Sequence, residues 1–352
     1  MRNGFNIASS GEFVNEIRED AQEARFFYHA GARFKPGRGL RAWTDPAVLG
    51  RVKSARRFEL DLADGWQDGA RSADAEDYTP LDLALAAVGV CSLKTAIAGG
   101  SARGINFDSI EMVISAFVQP REDGAGEGGL LSTSRVHRIA YDIQTESDAD
   151  AALIDEVTRQ ILDRSPNHRT VKDRTDLHFS AGSQPVPWSS LETAAGGGGR
   201  ELSRRVKWIS GTQFESTGTE GCLMPLRVDE AKQFAGVDWA PNPQEYVVLA
   251  LAAELASLAA RRERKDTGAS GTWTVNARGL LDLRGLMLVD PDAAVGFQEI
   301  TCTVEGPSEL EPARIEGYFR AAVEESALVE LLALPHPVEV QLTHTGSGAR
   351  HQ

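Results

Sequence analysis

Cys91 ends an apolar run, LDLALAAVGVC, and Glu254 ends a second run, QEYVVLALAAE, the same number of residues after its own proline. A thiol set among leucine, alanine and valine can be a nucleophile, a metal ligand, half of a disulfide or simple packing. The three cysteines, Cys91, Cys222 and Cys302, are odd in number and widely scattered, which points to neither a disulfide framework nor a zinc cluster. No metal and no other cofactor is expected. A nucleophilic cysteine reacts as the thiolate, and burial in apolar surroundings pushes a thiol pKa up. Cys91 lies about three turns into its run, beyond the first turn where a helix favours an anion, so reactivity needs a cation brought from elsewhere in the fold. Without one, Cys91 is a core residue, and Cys222 and Cys302 read as packing residues too. Glu254 poses the mirror problem: a carboxylate in an apolar helix must be neutral or paired. If its helix packs beside that of Cys91, Glu254 could enter the same site.

Both runs open on the same helix-start signal, Thr79-Pro80-Leu81-Asp82 and Asn242-Pro243-Gln244-Glu245. Thr79 or Asn242 can cap, the proline fills the first helical position where its missing N–H costs nothing, and Asp82 or Glu245 sits where a capping-box acid belongs. Beyond the caps there are too few polar residues for a solvated face, so each helix is expected to be enclosed on most sides.

The surrounding pattern repeats in order, which reads as one unit written twice. Residues 1–25 form a leading helical appendage, with Ser9 and Glu12 as a capping box. A first unit covers 26–182: strands turning at Lys35-Pro36-Gly37-Arg38-Gly39, the helix of Cys91, a hairpin across a glycine-rich loop at 122–129, a second helix in DADAALIDEVTRQILDR and a short strand near LHFS. Residues 183–204, with QPVPWSS and AAGGGGR, have the composition of a linker. A second unit over 205–345 repeats the order through RRVKWISGTQF, the helix from Pro243, TWTVNARGLLDLRG, FQEITCTVEG, ARIEGYFRAAVEE and PVEVQLTH, and 346–352 is a flexible tail. SGTQF near residue 212 is matched to AGARF near residue 32. No apolar run is judged long enough to span a bilayer, and the N-terminus lacks a secretion signal, so a cytoplasmic location is expected. A formal charge of −14 without a basic stripe argues against nucleic acid or an anionic membrane as partner and for small molecules or proteins.

The string TPLDLALAAVGVC, then ARGINFDSIEMVI, RIAYDI, an acidic helix and SPNHRT, resembles the OsmC/Ohr family of thiol-dependent hydroperoxide reductases and their OsmC-like relatives. The resemblance is carried well by residues 26–180 and in degraded form by 205–345. It implies an α+β fold of two tandem OsmC-like units, each an antiparallel sheet with a central buried helix, packed as an intramolecular pseudo-dimer with its sites at the interface. It places Cys91 at the position of the peroxide-reacting cysteine. Ser165 stands where the resolving cysteine is expected, so an internal disulfide cannot form. The arginine that the family uses on its thiolate matches Arg33, with Arg38 and Arg41 as alternatives. The acid that directly follows the proline in the Ohr branch is Leu81 here. In the second unit Glu254 replaces the cysteine, Gln213 the arginine, and Ser326 falls near the second cysteine position. His168 is a candidate base or hydrogen-bond partner for Cys91, and Ser165 also reads as a helix cap before Pro166.

The expected activity is reduction of an organic hydroperoxide by Cys91, with an external thiol to regenerate it and Arg33 to steady negative charge. Two other readings stay open. One is Cys-dependent transfer or hydrolysis, with His168 or Glu254 as acid–base partner. The other is a non-enzymatic site for a hydrophobic small molecule. Either a monomeric pseudo-dimer or a homodimer is compatible with the chain.

Overall fold

A computed structural model of the chain describes residues 2–63, 78–120, 134–189, 199–219, 223–234 and 236–346. Cys222, the glycine-rich loop at 122–129 and most of the expected tail lie outside the described residues. In the first half, helix α1 (Ile7–Glu19) is followed by strands β1 (Arg25–Lys35), β2 (Gly39–Leu49), β3 (Val52–Lys53) and β4 (Glu59–Leu62). Then come α2 (Pro80–Ala102), β5 (Phe107–Pro120), β6 (Ser134–Ser147), α3 (Ala151–Arg164), α4 (Pro166–Lys172), β7 (Asp176–Ala181) and β8 (Gln184–Pro185). The second half runs β9 (Arg200–Ser210), β10 (Gln213–Gly218), β11 (Leu226–Val228), α5 (Pro243–Thr267), β12 (Trp273–Asp282), β13 (Glu299–Glu305), α6 (Pro312–Glu325), α7 (Ala327–Ala333) and β14 (Val338–Gly346).

The chain is α+β, and its strands form two sheets. One is ordered β3-β2-β1-β12-β13-β7-β8, with β4 also pairing β2; the other is β11-β10-β9-β5-β6-β14. Each sheet therefore draws strands from both halves of the sequence. The halves do not hold one purely antiparallel sheet apiece: β1 pairs β12 and β5 pairs β9 antiparallel, while β13–β7 and β14–β6 are parallel. The physical reason lies in the helices. Helix α5 lies on β1, β2 and β12, α2 lies on β5, β9, β10 and β11, and the two helices pack on each other between the sheets. A helix without a polar face is satisfied in that position, and residues from Leu81 to Ser101 and from Pro243 to Ala260 are accordingly almost all buried.

Helix α2 is long and apolar enough to cross a membrane, with mean hydropathy 1.7 over its most apolar window, which corrects the expectation that no run reaches that length. That window is 83% buried inside the protein, as for a core helix. The first helix also begins earlier than expected. Asn6, rather than Ser9, is its cap, its side chain accepting from the Ser9 N–H at 3.4 Å. The helix is tied to the core: Phe13 meets Phe234 edge-on at 5.5 Å and lies 6.2 Å from Phe26. The expected linker starts as ordered chain, because β8 pairs with β7 and Trp188 packs edge-on against Phe179 at 5.8 Å.

Both capping boxes form. The Asp82 N–H donates to Thr79 Oγ1 at 3.2 Å and the Thr79 N–H to Asp82 Oδ2 at 2.8 Å, and Asn242 and Glu245 repeat the exchange at 2.8 and 2.7 Å. Each box acid also meets a buried arginine from the other half. Arg204, on β9, donates to Asp82 at 3.1 Å and to Ser216 at 2.9 and 2.7 Å, while Arg56 donates to Glu245 and lies 3.4 Å from Asp238. Removing one partner of a buried pair strands the other, so Arg204→Met is expected to lower unfolding stability by about 3 kcal/mol in urea denaturation. Asp82→Asn, which keeps a capping oxygen, should cost less.

Candidate functional site

Cys91 sits in the middle of α2, where the first turn of α5 and the start of α4 meet it. Its sulfur has no solvent exposure. The Asn167 N–H donates to Sγ at 3.5 Å and the Gln244 side-chain amide donates to it at 3.4 Å. Asn167 is itself fixed, its amide donating to the Ala87 and Pro243 carbonyls, both at 3.1 Å. Pro166 starts α4, and the Ser165 side chain makes no cap bond there. The sulfur takes the place of a capping oxygen for one of the otherwise unpaired N–H groups of that helix. Burial pushes the Cys91 thiol up; Lys94 pulls it back down most, then Ser165 and the Asn167 N–H, while Glu230 adds to the rise. Lys94 lies one turn further along α2 and is ion-paired with Glu230. Burial opposes its charge, but Glu230, Cys91 and Asp229 together outweigh this, and the ammonium pKa is raised.

Arg33 is not in this site. Side chains alternate across a strand, and on β1 the residues Ala32 and Phe34 face the core while Arg33 is exposed on the outer face. Its Nε donates to Thr274 at 3.1 Å and its guanidinium lies 5.8 Å from the Trp43 ring. The neighbouring Gly31 serves that indole, since a Cβ there would come within 2.4 Å of it. Arg41 is also outside, bonded to Asp61 at 2.8 Å. Matching AGARF to SGTQF fails for a related reason: the first lies within β1, whereas the second spans the turn between β9 and β10. The cation nearest in effect is Lys94, which carried no signal beyond its spacing of one turn from Cys91.

Glu254 does not enter the Cys91 site either. It occupies the equivalent place at the other short helix, α7, where Ser326 and the Leu328 N–H donate to it, the latter at 3.0 Å. Ser326 there is a normal cap, accepting from the Val329 N–H at 2.9 Å. His168 is buried, and its Nδ1 is engaged with the Tyr141 hydroxyl at 3.0 Å rather than with the thiol. Burial, then the charges of Lys172 and Arg169, lowers its pKa to about 4. It is neutral at physiological pH and a weak base, so neither acid–base partner for a transfer or hydrolysis reaction meets the sulfur. Cys302 is buried on β13 with its thiol raised by burial alone, in keeping with packing. Among the described residues, no group of three or more His, Cys, Asp and Glu side chains is placed to share a metal ion.

Two outcomes follow from these assignments. Glu254→Leu leaves the Leu328 N–H and Ser326 short of an acceptor and is expected to cost about 1–3 kcal/mol in denaturant unfolding, while leaving Cys91 alkylation unchanged. His168 titrates at about 4 in the folded chain against 6.5 in the unfolded one, so the unfolded chain binds the proton first. Its contribution is complete above about pH 6.5 and is lost as pH falls toward 4, at most about 3 kcal/mol. Comparing urea unfolding of the wild type and His168→Gln at neutral pH and at pH near 4.5 checks this: the variant should lose less on acidification.

Residues 73–180, a little under a third of the chain, match a family model described as OsmC-like protein. Among solved structures, the crystal structure of an OsmC-like protein from Mycoplasma pneumoniae is similar at 18% identity, over 41% of this chain and 86% of that one, with a TM-score of 0.30. No curated protein matches. The matched segment contains Cys91, Ser165 and Asn167 and ends within β7.

Proposed function

We propose that this chain reduces organic hydroperoxides at Cys91, using an external low-molecular-weight thiol of the cytoplasm as reductant. The observation that carries the reading is the convergence on one sulfur of the Asn167 N–H and the Gln244 amide, with Lys94 one turn along the same helix as the cation that favours the thiolate. Donors aimed at sulfur favour the thiolate over the thiol, and they oppose the effect of burial. The thiolate attacks the outer peroxide oxygen, an S–O bond forms and the O–O bond breaks. The electron pair leaves on the alkoxide, which takes a proton from solvent, and Cys91 becomes a sulfenic acid. One external thiol then displaces water to give a mixed disulfide, and a second releases the free Cys91 thiol and an external disulfide. Ser165 in place of a second cysteine makes that external pair necessary. Because Sγ is enclosed, peroxide reaches it only when the side chains over it, Gln244 among them, move aside.

The complete burial of Cys91 favours a second reading, in which the thiol is a packing residue and a capping acceptor for α4. Intact mass spectrometry after brief stoichiometric cumene hydroperoxide, with and without a sulfenic-acid trap, separates the two. The expected result is a fast, trappable gain of one oxygen, absent in Cys91→Ser and slowed about tenfold in Lys94→Met, the effect of roughly one unit of thiol pKa. A wild-type protein that stays unoxidised rejects the peroxidase reading in favour of packing.

A further inference from the structure

One of the two donors on the Cys91 sulfur comes from the half of the chain that has no thiol at the equivalent position. Gln244 follows Pro243 at the start of α5, and its Nε2 lies 3.4 Å from Cys91 Sγ and 3.5 Å from Asn167 Oδ1. Asn167 Nδ2 in turn lies 3.1 Å from the Ala87 carbonyl on α2 and 3.1 Å from the Pro243 carbonyl on α5. Both amide side chains belong to buried residues. Three helices, α2, α4 and α5, therefore share one small polar cluster between the two halves of the sequence.

A carboxamide can turn over with little change of shape, exchanging donor for acceptor. Here neither amide can do so freely. Ala87 and Pro243 offer carbonyl oxygens, so the Asn167 NH2 must face them, and each of its two hydrogens has one acceptor. That leaves Oδ1 turned to Gln244, and an oxygen there only accepts. The Gln244 NH2 must then meet it, and its second hydrogen goes to the sulfur. Turning either amide over sets oxygen against oxygen in a buried place, which leaves acceptors unsatisfied. Leu81 holds the matching place after Pro80 on α2 and carries no such group, so only one half supplies this donor.

We propose that the Asn167 side chain is a positioning residue that locks Gln244 as a hydrogen-bond donor to Cys91, so that the second half of the chain completes the reacting site of the first. The inference rests on the reading of Cys91 as a reacting thiolate and adds what sets the polarity around it. With the lock in place, Asn167 and Gln244 both present N–H groups to the sulfur, and an N–H bond to an anion is stronger than one to a neutral thiol. The other charged or titratable groups near the sulfur are Lys94 on α2, Glu230 from the segment before Lys232–Phe234, Tyr28 on β1 and Tyr141 on β6. Beside the two amides stand His168 on α4 and Glu245 on α5, the latter paired with Arg56. All of these stay the same in every variant that tests the lock.

The test is the pH titration of the Cys91 thiolate by ultraviolet absorbance, taken on the full-length protein as the difference from Cys91→Ser. Gln244→Met, which keeps the volume and removes the donor, is expected to shift the thiol titration upward by about one pH unit. Asn167→Thr keeps the backbone N–H on the sulfur and loses the lock. It is expected to shift the titration upward by about half as much alone, and by nothing further when combined with Gln244→Met, because it acts through Gln244. An unchanged titration in Gln244→Met at native melting temperature overturns the lock, as does an equal shift from Asn167→Thr with and without Gln244→Met. Where Asn167→Thr fails to fold, the wild type carries the test by NMR with isotope-labelled glutamine. The Gln244 carboxamide signals are expected to move with the thiol titration and to stay still in Cys91→Ser, and signals that stay still in both overturn the lock. The two proposals fail separately. A thiol that titrates as expected but resists peroxide rejects the peroxidase reading alone, and a peroxide-reactive thiol indifferent to Gln244→Met rejects the lock alone.

Discussion

Two helices without a polar face have to be enclosed on every side, and that requirement organises the molecule. Helix α2 carries buried residues from Leu81 to Ser101 and α5 from Pro243 to Ala260, so neither can lie on a sheet with its back to water. Stacking them between two sheets solves the problem for both at once. The cross-half pairs Arg204–Asp82 and Arg56–Glu245 then fix the two helix starts, each buried guanidinium meeting the box carboxylate of the other half's helix. Burial raises the Glu245 carboxyl and Arg56 opposes that rise, so the pair is held by geometry that leaves neither charge alone.

The same arrangement explains why two equivalent positions differ so much. At each, a side chain from mid-helix accepts from the N–H of the second residue of a short helix: Cys91 from Asn167 and Glu254 from Leu328. A carboxylate there, bonded also to Ser326, satisfies the helix start fully. A sulfur does so weakly, and its serine makes no cap bond. One position is built for stability. The other gives up a cap bond and gathers donors around a polarisable atom.

Much of this was legible from residue types. The two capping boxes, the enclosure of both helices, the β5–β6 hairpin and the absence of a thiol at position 254 follow from proline placement, apolar runs and alternation. Strand exchange was not legible, because a strand pattern records which face is buried and not which neighbour supplies its hydrogen bonds. Arg33 misled because a motif match ignores parity: one residue along a strand reverses the face. Gln244 carried a usable signal, since it directly follows Pro243 as Leu81 follows Pro80, but its reach to Cys91 depends on packing between the halves. Lys94, Glu230 and Tyr141 are ordinary residues in sequence, and only the fold gives them neighbours.

The interleaving of strands also sets a schedule for biosynthesis. Strand β1 is hydrogen-bonded to β12 along nearly its whole length, with Arg33 opposite Thr274, 241 residues later. At about 5–20 residues per second, the ribosome takes on the order of tens of seconds to supply that neighbour. Over the same interval β5 waits for β9, and the apolar surface of α2 waits for α5. The nascent first half is therefore a collection of open edges and uncovered apolar surface, which is the form most exposed to wrong pairing with another nascent chain. Carrying both halves on one polypeptide guarantees that the right partner arrives, and arrives at high local concentration.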